Sequence, residues 1–429
     1  MSGMQVQSGY VRTPLTNCPG PATPGLESRS CVSLHNPHET ENSLLRVTEC
    51  NALIVGTVLL SFAAVAQTQT APQTKPEATP TADAAAAPAP PPSAWTHWGT
   101  DFSVMLDGYT DVNFNNPASG YNGLANFDLH SDTARLSLAK LTIDHAPAPF
   151  GFHFDVGFGQ TLTFIHANDP GLDGMKYVEQ AYVSLKPKNW KGFQIDFGKF
   201  VTSAGAEVIE AYSNWNYTRS LLFAYAIPYY HMGLRTSFPV GKHFTAGVQV
   251  VNGWNNDRDN NSGKTVGLVA AYNWKKVTWS NNYYVGPEKY HTNQGLRSLF
   301  DTTVQYNQND NTSYYVNFDY GRDKNIGPGA NQWTGIAFAG RRAIGKKFAI
   351  APRFEFFNDI NGFTTGLPQQ VKEFTLTGEY KMKDWLVSRV EFRDDFSNKN
   401  FFDLGNNQPL GKSQARLVLG MMAYFGPKK

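Results

Sequence analysis

The sequence predicts an all-β protein: a transmembrane antiparallel β-barrel of about 16 strands, with short periplasmic turns and long external loops. Three observations carry this expectation. From Trp95 onward the chain falls into segments of roughly ten residues that alternate apolar and polar with period two. The connections between the segments alternate in length. The tryptophans avoid the middles of the segments.

The alternation is explicit in several segments. In Phe102–Phe114, Phe102, Val104, Leu106, Val112 and Phe114 share one face, and Ser103, Asp107, Asp111 and Asn113 the other. Phe152, Phe154, Val156 and Phe158 oppose His153, Asp155 and Gly157. Tyr314, Val316, Phe318 and Tyr320 oppose Tyr315, Asn317 and Asp319. Phe348, Ile350, Phe354 and Phe356 oppose Arg353 and Glu355, and Leu386, Val390 and Phe392 oppose Arg389, Glu391, Arg393 and Asp395. Such segments begin near residues 102, 131, 149, 176, 191, 229, 243, 264, 276, 296, 312, 332, 346, 369, 384 and 413. The last of them puts Ala415, Leu417, Leu419, Met421, Ala423 and Phe425 on one face. It ends on an aromatic, as an outer-membrane strand does, although Gly-Pro-Lys-Lys follows.

Connections after even-numbered strands are short: APAPFG, PKNWKG, PVGK, WKK, NQNDNT, AIGKK and KMKD. Those after odd-numbered strands are expected to be longer and polar, as in NGWNNDRDNNSGK and SNKNFFDLGNNQPLGK. A soluble sandwich has no reason to lengthen every second loop, whereas an outer-membrane barrel does. Trp190, Trp274, Trp279 and Trp385 sit at or beside short turns, and Trp254 and Trp333 at the long-loop ends. That placement predicts two interfacial girdles.

Composition agrees. Aromatic residues make up 14% of the chain, and charged residues only 17%, below the roughly 25% of soluble domains. The net charge of +2 argues against a nucleic-acid partner. Three domains are expected: 1–66, 67–94 and 95–429. Ala52–Ala66 is apolar, too short to span a bilayer comfortably, and ends in Ala64-Val65-Ala66, so it reads as a signal-peptide core cleaved after Ala66. Residues 1–43 are long for the region preceding such a core, which places the expected translation start downstream of Met1. The alternative is a plain disordered tail. Cys18, Cys31 and Cys50 all precede the cleavage site, so the mature chain has neither a disulfide framework nor a zinc-thiolate site. Residues 67–94 are rich in Pro and Ala and read as a spacer without a core.

A closed barrel of about sixteen strands is too wide for its wall side chains to fill. Charges on a lipid face at mid-depth cost about 2–4 kcal/mol, so Arg353, Glu355, Arg389, Glu391 and Arg393 should face the lumen. The alternation breaks at Gly198-Lys199, and from about Thr202 to Pro228 runs the longest connection. Ala206–Tyr212 and Asn214–Ala226 look weakly helical, with Ser213 or Asn214 as a cap and Pro228 as a stop. A loop this long and apolar should fold inward. Lys199, Glu207, Glu210 and Arg219 would then line a constriction, or pair with one another and brace the loop. His231 and Arg235 should face inward on the next strand.

The stretches GYTDVNFNNP (108–117), GFHFDVGFG (151–159), EQAYVS (179–184), 196–235 and SRVEFRDDFSN (388–398) resemble the OmpL-like β-barrel porins of bacteria. The resemblance covers most of Trp95–Phe425 and implies an outer-membrane barrel for passive diffusion of small hydrophilic solutes. It supplies no catalytic residues. The expected partners are outer-membrane lipid, small hydrophilic solutes or ions, the barrel-assembly machinery and further copies in a homo-trimer. No cofactor or metal is expected. Two other readings stand beside this one: a structural or adhesive barrel with a plugged lumen, and a membrane-embedded hydrolase using His231 with Ser213 or Ser220. No P-loop, dinucleotide fingerprint or H-E-x-x-H motif occurs.

Overall fold

The computed structural model describes residues 93–427 except 168, 170–172 and 407. The apolar segment Ala52–Ala66, the three cysteines and the spacer up to residue 92 lie outside the described residues. Among the described residues sixteen long strands follow one another: β1 Thr100–Asn113, β2 Ala134–His145, β3 Phe150–Phe158, β4 Val178–Leu185, β5 Gln194–Val201, β6 Tyr230–Val240, β7 Phe244–Val251 and β8 Thr265–Trp274. The second half is β9 Val277–Lys289, β10 Thr292–Asn309, β11 Thr312–Lys324, β12 Ala330–Ile344, β13 Phe348–Asp359, β14 Gln369–Lys383, β15 Leu386–Ser397 and β16 Ser413–Phe425. No strand start departs from its sequence expectation by more than four residues. Each strand pairs antiparallel with the next, and β16 returns to β1 from Arg416↔Asn113 to Phe425↔Val104. The sheet therefore has no free edge, as lipid requires, because an unpaired backbone group in hydrocarbon has nothing to bond.

The period-two pattern places apolar residues outside and polar ones inside. Leu417, Leu419 and Met421 of β16 are exposed on the outer wall, while Gln414, Arg416 and Val418 are buried within. Two features differ from expectation. The connection from β9 to β10 is only Tyr290-His291, because both strands run on past the wall and keep pairing, up to Lys289↔Thr292. Trp333 does not join an outer girdle. It is buried inside, stacked on Phe363 at 5.4 Å and meeting Trp254 edge-on at 6.2 Å, with its indole N–H donating to Ala226 O. Both tryptophans serve the interior because the loops there supply an apolar surface to pack on. Trp274, Trp279 and Trp385 are exposed near the short turns, where a girdle belongs.

The barrel has an apolar cluster inside it. Leu124 and Phe127 of the first long loop, together with Leu162 and Ile165 of the short helix α1 (Gln160–Ile165), join Leu221, Leu222, Phe223 and Ile227. On the opposite side the same cluster includes Leu299, Tyr315, Trp333, Phe357 and Val371 of the wall.

Candidate functional site: the loop inside the barrel

The connection 202–229 between β5 and β6 supplies the middle of that cluster. Its two expected helices are reduced to single turns, a 3-10 turn at Ala211–Ser213 and a π turn at Leu222–Ala226. The physical reason lies in its backbone bonding. Wall side chains take the N–H and C=O groups that a helix would have paired internally.

The carboxylates of the wall accept from the loop. Glu391 on β15 receives the N–H groups of Tyr217 (2.6 Å) and Thr218 (3.0 Å), and Glu355 on β13 those of Leu221 (3.0 Å) and Leu222 (3.2 Å). The guanidinium groups donate to it. Arg389 reaches the carbonyls of Ala211 (2.6 Å), Asn214 (2.5 Å) and Asn216 (3.1 Å), and Arg393 that of Arg219 (2.7 Å). Arg353 donates to Thr218 O and to Glu207 Oε1, each at 2.8 Å, and pairs with Glu355 and Glu373. Small wall residues make room for the loop. A Cβ at Gly420 would collide with the Tyr217 ring, and one at Gly335 would lie 2.7 Å from Leu222 Cδ1.

The loop's own charges are equally engaged. Glu207 accepts the Ser220 N–H at 2.6 Å besides pairing with Arg353. Arg219 donates to Tyr217 O at 2.5 Å and to Ile209 O, and its guanidinium lies 4.7 Å above the Phe127 ring. Glu210 pairs with Lys140 on β2, which carries no local signal because it is one lysine in an otherwise ordinary strand.

Lys199, His231 and Arg235 stand apart from this grip. Lys199 Nζ donates to His166 Nε2 (2.7 Å) and Asp257 Oδ2 (2.9 Å) and lies 4.2 Å from the Tyr230 ring. It thereby ties β5 to the long loops before β4 and before β8. Burial and the nearby Lys199 ammonium push His166 down to about 3, so it is a neutral acceptor. Burial, with Asp169 nearby, pushes Asp257 up to about 6 although Lys199 opposes it. His231 Nδ1–H donates to Gly253 O at 2.9 Å and its ring stacks on Tyr284, while Ser220 Oγ accepts the Phe223 N–H. The His231 Nε2 atom makes no hydrogen bond, so neither Ser213 nor Ser220 is bonded to it. Arg235 bonds Asp196 at 2.8 Å and lies 4.6 Å from both the Tyr182 and Phe200 rings. Of the eleven candidate residues, Arg235 and Glu210 keep the more open side chains, 22% and 20% exposed.

A closed sixteen-strand sheet with an apolar outer wall, charged inner faces and a long loop folded into its interior defines an outer-membrane barrel of porin architecture. The chain belongs to the family described as "Putative beta-barrel porin-2, OmpL-like", whose model matches residues 99–425. It is a porin-family protein of the outer membrane. Comparison with curated proteins finds no match. Among solved structures the fold is similar to outer-membrane expressed OmpT of Vibrio cholerae, at 15% identity, covering 76% of this chain and 97% of that one with a TM-score of 0.51. The outer membrane channel DcaP of Acinetobacter baumannii matches at 10% identity, 76% and 98% coverage and a TM-score of 0.51. An anion-selective porin from Comamonas acidovorans matches at 11% identity, 76% and 99% coverage and a TM-score of 0.50. These likenesses establish the fold.

Proposed function

We propose that this chain passes small hydrophilic solutes and ions down their gradients through the barrel interior, with the loop 202–229 setting the width of the passage. The observation that carries the reading is the sorting of residues on the wall, with buried charges of both signs inward and large apolar side chains exposed outward. Mixed signs favour weak ion selectivity. Arg235 and Glu210, the more open of the candidates, are the groups a permeating solute would meet. Lys199, Glu207, Arg219, His231, Arg353, Glu355, Arg389, Glu391 and Arg393 would act on passage through the loops they hold. Three copies side by side in the lipid, inserted by the barrel-assembly machinery, complete the proposal, and chemical cross-linking in membranes would then stop at a three-chain species.

Purified, heat-modifiable barrel in planar bilayers is expected to give stable single-channel currents. Silence from correctly folded protein would sink the proposal. Deleting Ala204–Tyr212 should raise the conductance, and an unchanged value would leave the loop with a bracing role only. A second reading, a plugged structural barrel, is favoured by the apolar cluster that reaches from Met105 and Leu138 on one side to Trp333 and Phe357 on the other. The same currents separate the two readings, because a plugged barrel carries almost none.

A further inference from the structure

The grip of β13 and β15 flanks Glu210, at Glu207 and at the Ala211 carbonyl, but leaves the Glu210 carboxylate to another strand. Glu210 pairs with Lys140 on β2, whose Nζ also lies 3.2 Å from Asp155 Oδ2 on β3 and 3.4 Å from Glu179 on β4. One oxygen from each of Asp155, Glu179 and Glu210 lies within 4.8 Å of the others. Three carboxylates converging this closely from two strands and a loop form an oxygen donor set suited to a divalent cation. Here a lysine ammonium stands among them.

The cage is built and positioned. Asp155 is fixed by the side chains of Gln180 (2.8 Å), His153 (3.0 Å) and Thr142 (2.5 Å), and His153 is held in turn by Asp144 at 2.7 Å. Glu179 is fully buried, and its Oε2 makes no hydrogen bond. That oxygen has an ion-pair contact only, 3.4 Å from the Lys140 ammonium. One ammonium is shared by three carboxyl groups.

We propose that Lys140 is a tethered cation that docks the inward loop, standing where the cage would otherwise take a divalent metal ion, and is a positioning residue for the passage. Covalent attachment makes docking independent of the surrounding ions, and the three donors of the ammonium match three carboxylates. Remove it and three converging carboxyl groups remain, each with an oxygen that a divalent ion can take as a ligand. The effect on current rests on the porin reading above. The effect on metal binding does not.

The test compares wild type, K140A, K140R, E210Q and the double variant K140A/E210Q, each folded in detergent without lipopolysaccharide. Each is titrated calorimetrically with Ca2+ and recorded in bilayers with and without it. K140A is expected to bind about one Ca2+ with a Kd on the order of 10⁻⁴–10⁻³ M, a range typical of weak oxygen-ligated sites. Wild type and the double variant should show no such binding. Without Ca2+, K140A should give larger and noisier currents that Ca2+ returns toward the wild-type level, whereas K140R keeps the wild-type current. Absence of Ca2+ binding by folded K140A, or a wild-type current from it, overturns the inference. Should K140A fail to fold, E210Q decides: a raised current supports docking, and an unchanged one refutes it. A silent wild type would defeat the porin reading while the titration still judged the cage.

Discussion

Along β13 and β15 adjacent residues meet opposite solvents. Phe354 is 53% exposed on the outer wall and Val390 52%, while the neighbouring Arg353 is fully buried inside. Arg389, Glu391 and Arg393 are buried likewise. The difference teaches what a charge needs at this depth. Outside, lipid offers nothing to pair with, so only apolar side chains are tolerated. Inside, the loop 202–229 offers bare N–H and C=O groups, and the charges pair with these and with each other. A charged inner wall and an unwound loop are thus two halves of one arrangement.

Replacing Arg353 tests the inner half hardest. In R353A the carboxylates of Glu207, Glu355 and Glu373 lose their shared guanidinium, and breaking such a buried pair costs about 3–5 kcal/mol. The denaturant midpoint of the folded barrel in micelles should fall accordingly, and a wild-type midpoint would break the comparison. The outer half is tested by F354R, which should cost about 2–4 kcal/mol at mid-depth. F354L should cost under about 1.5 kcal/mol, as a change of shape alone does. Equal losses from the two would mean that this face does not meet lipid.

A subtler change is E391Q. It retains one carbonyl oxygen but no charge for the N–H groups of Tyr217 and Thr218, and a loss of about 1–3 kcal/mol is expected. Hydrogen exchange at those two amides should quicken before the barrel itself unfolds, and exchange no faster than wild type would contradict the grip. The smallest effect belongs to the external end. Asp257 is pushed up to about 6 from an ordinary 3.8, so the folded state holds its proton more tightly. Its stabilising contribution is complete below 3.8 and is lost as pH rises through about 6. Protection of residues 252–264 should therefore weaken between pH 4 and pH 7 by on the order of 1 kcal/mol. D257N should flatten that profile, and a persisting slope would assign it elsewhere.

How much could be read in advance depended on the range of the interaction. Strand positions were legible because period two is imposed locally, by a wall with lipid on one side. The inward course of 202–229 was legible from its length and its aromatics. Its turns were not, because Glu355, Glu391 and Arg389 claim its backbone from positions more than 130 residues away. Lys140 gave no local signal, since its three carboxylates come from β3, β4 and the loop. Trp254 and Trp333 matched the girdle pattern by sequence position, but the apolar side chains of distant loops drew them inward.

The sequence by itself determined the closed sheet, its strand number, the direction most wall residues face and the identity of the loop that enters it. These follow from alternation and segment length, which each stretch of chain carries alone. Only the tertiary structure decided which charge meets which partner. A buried charge is stable only against complementary groups, and across the interior of a barrel those groups are brought close by closure of the sheet, whatever their separation along the chain.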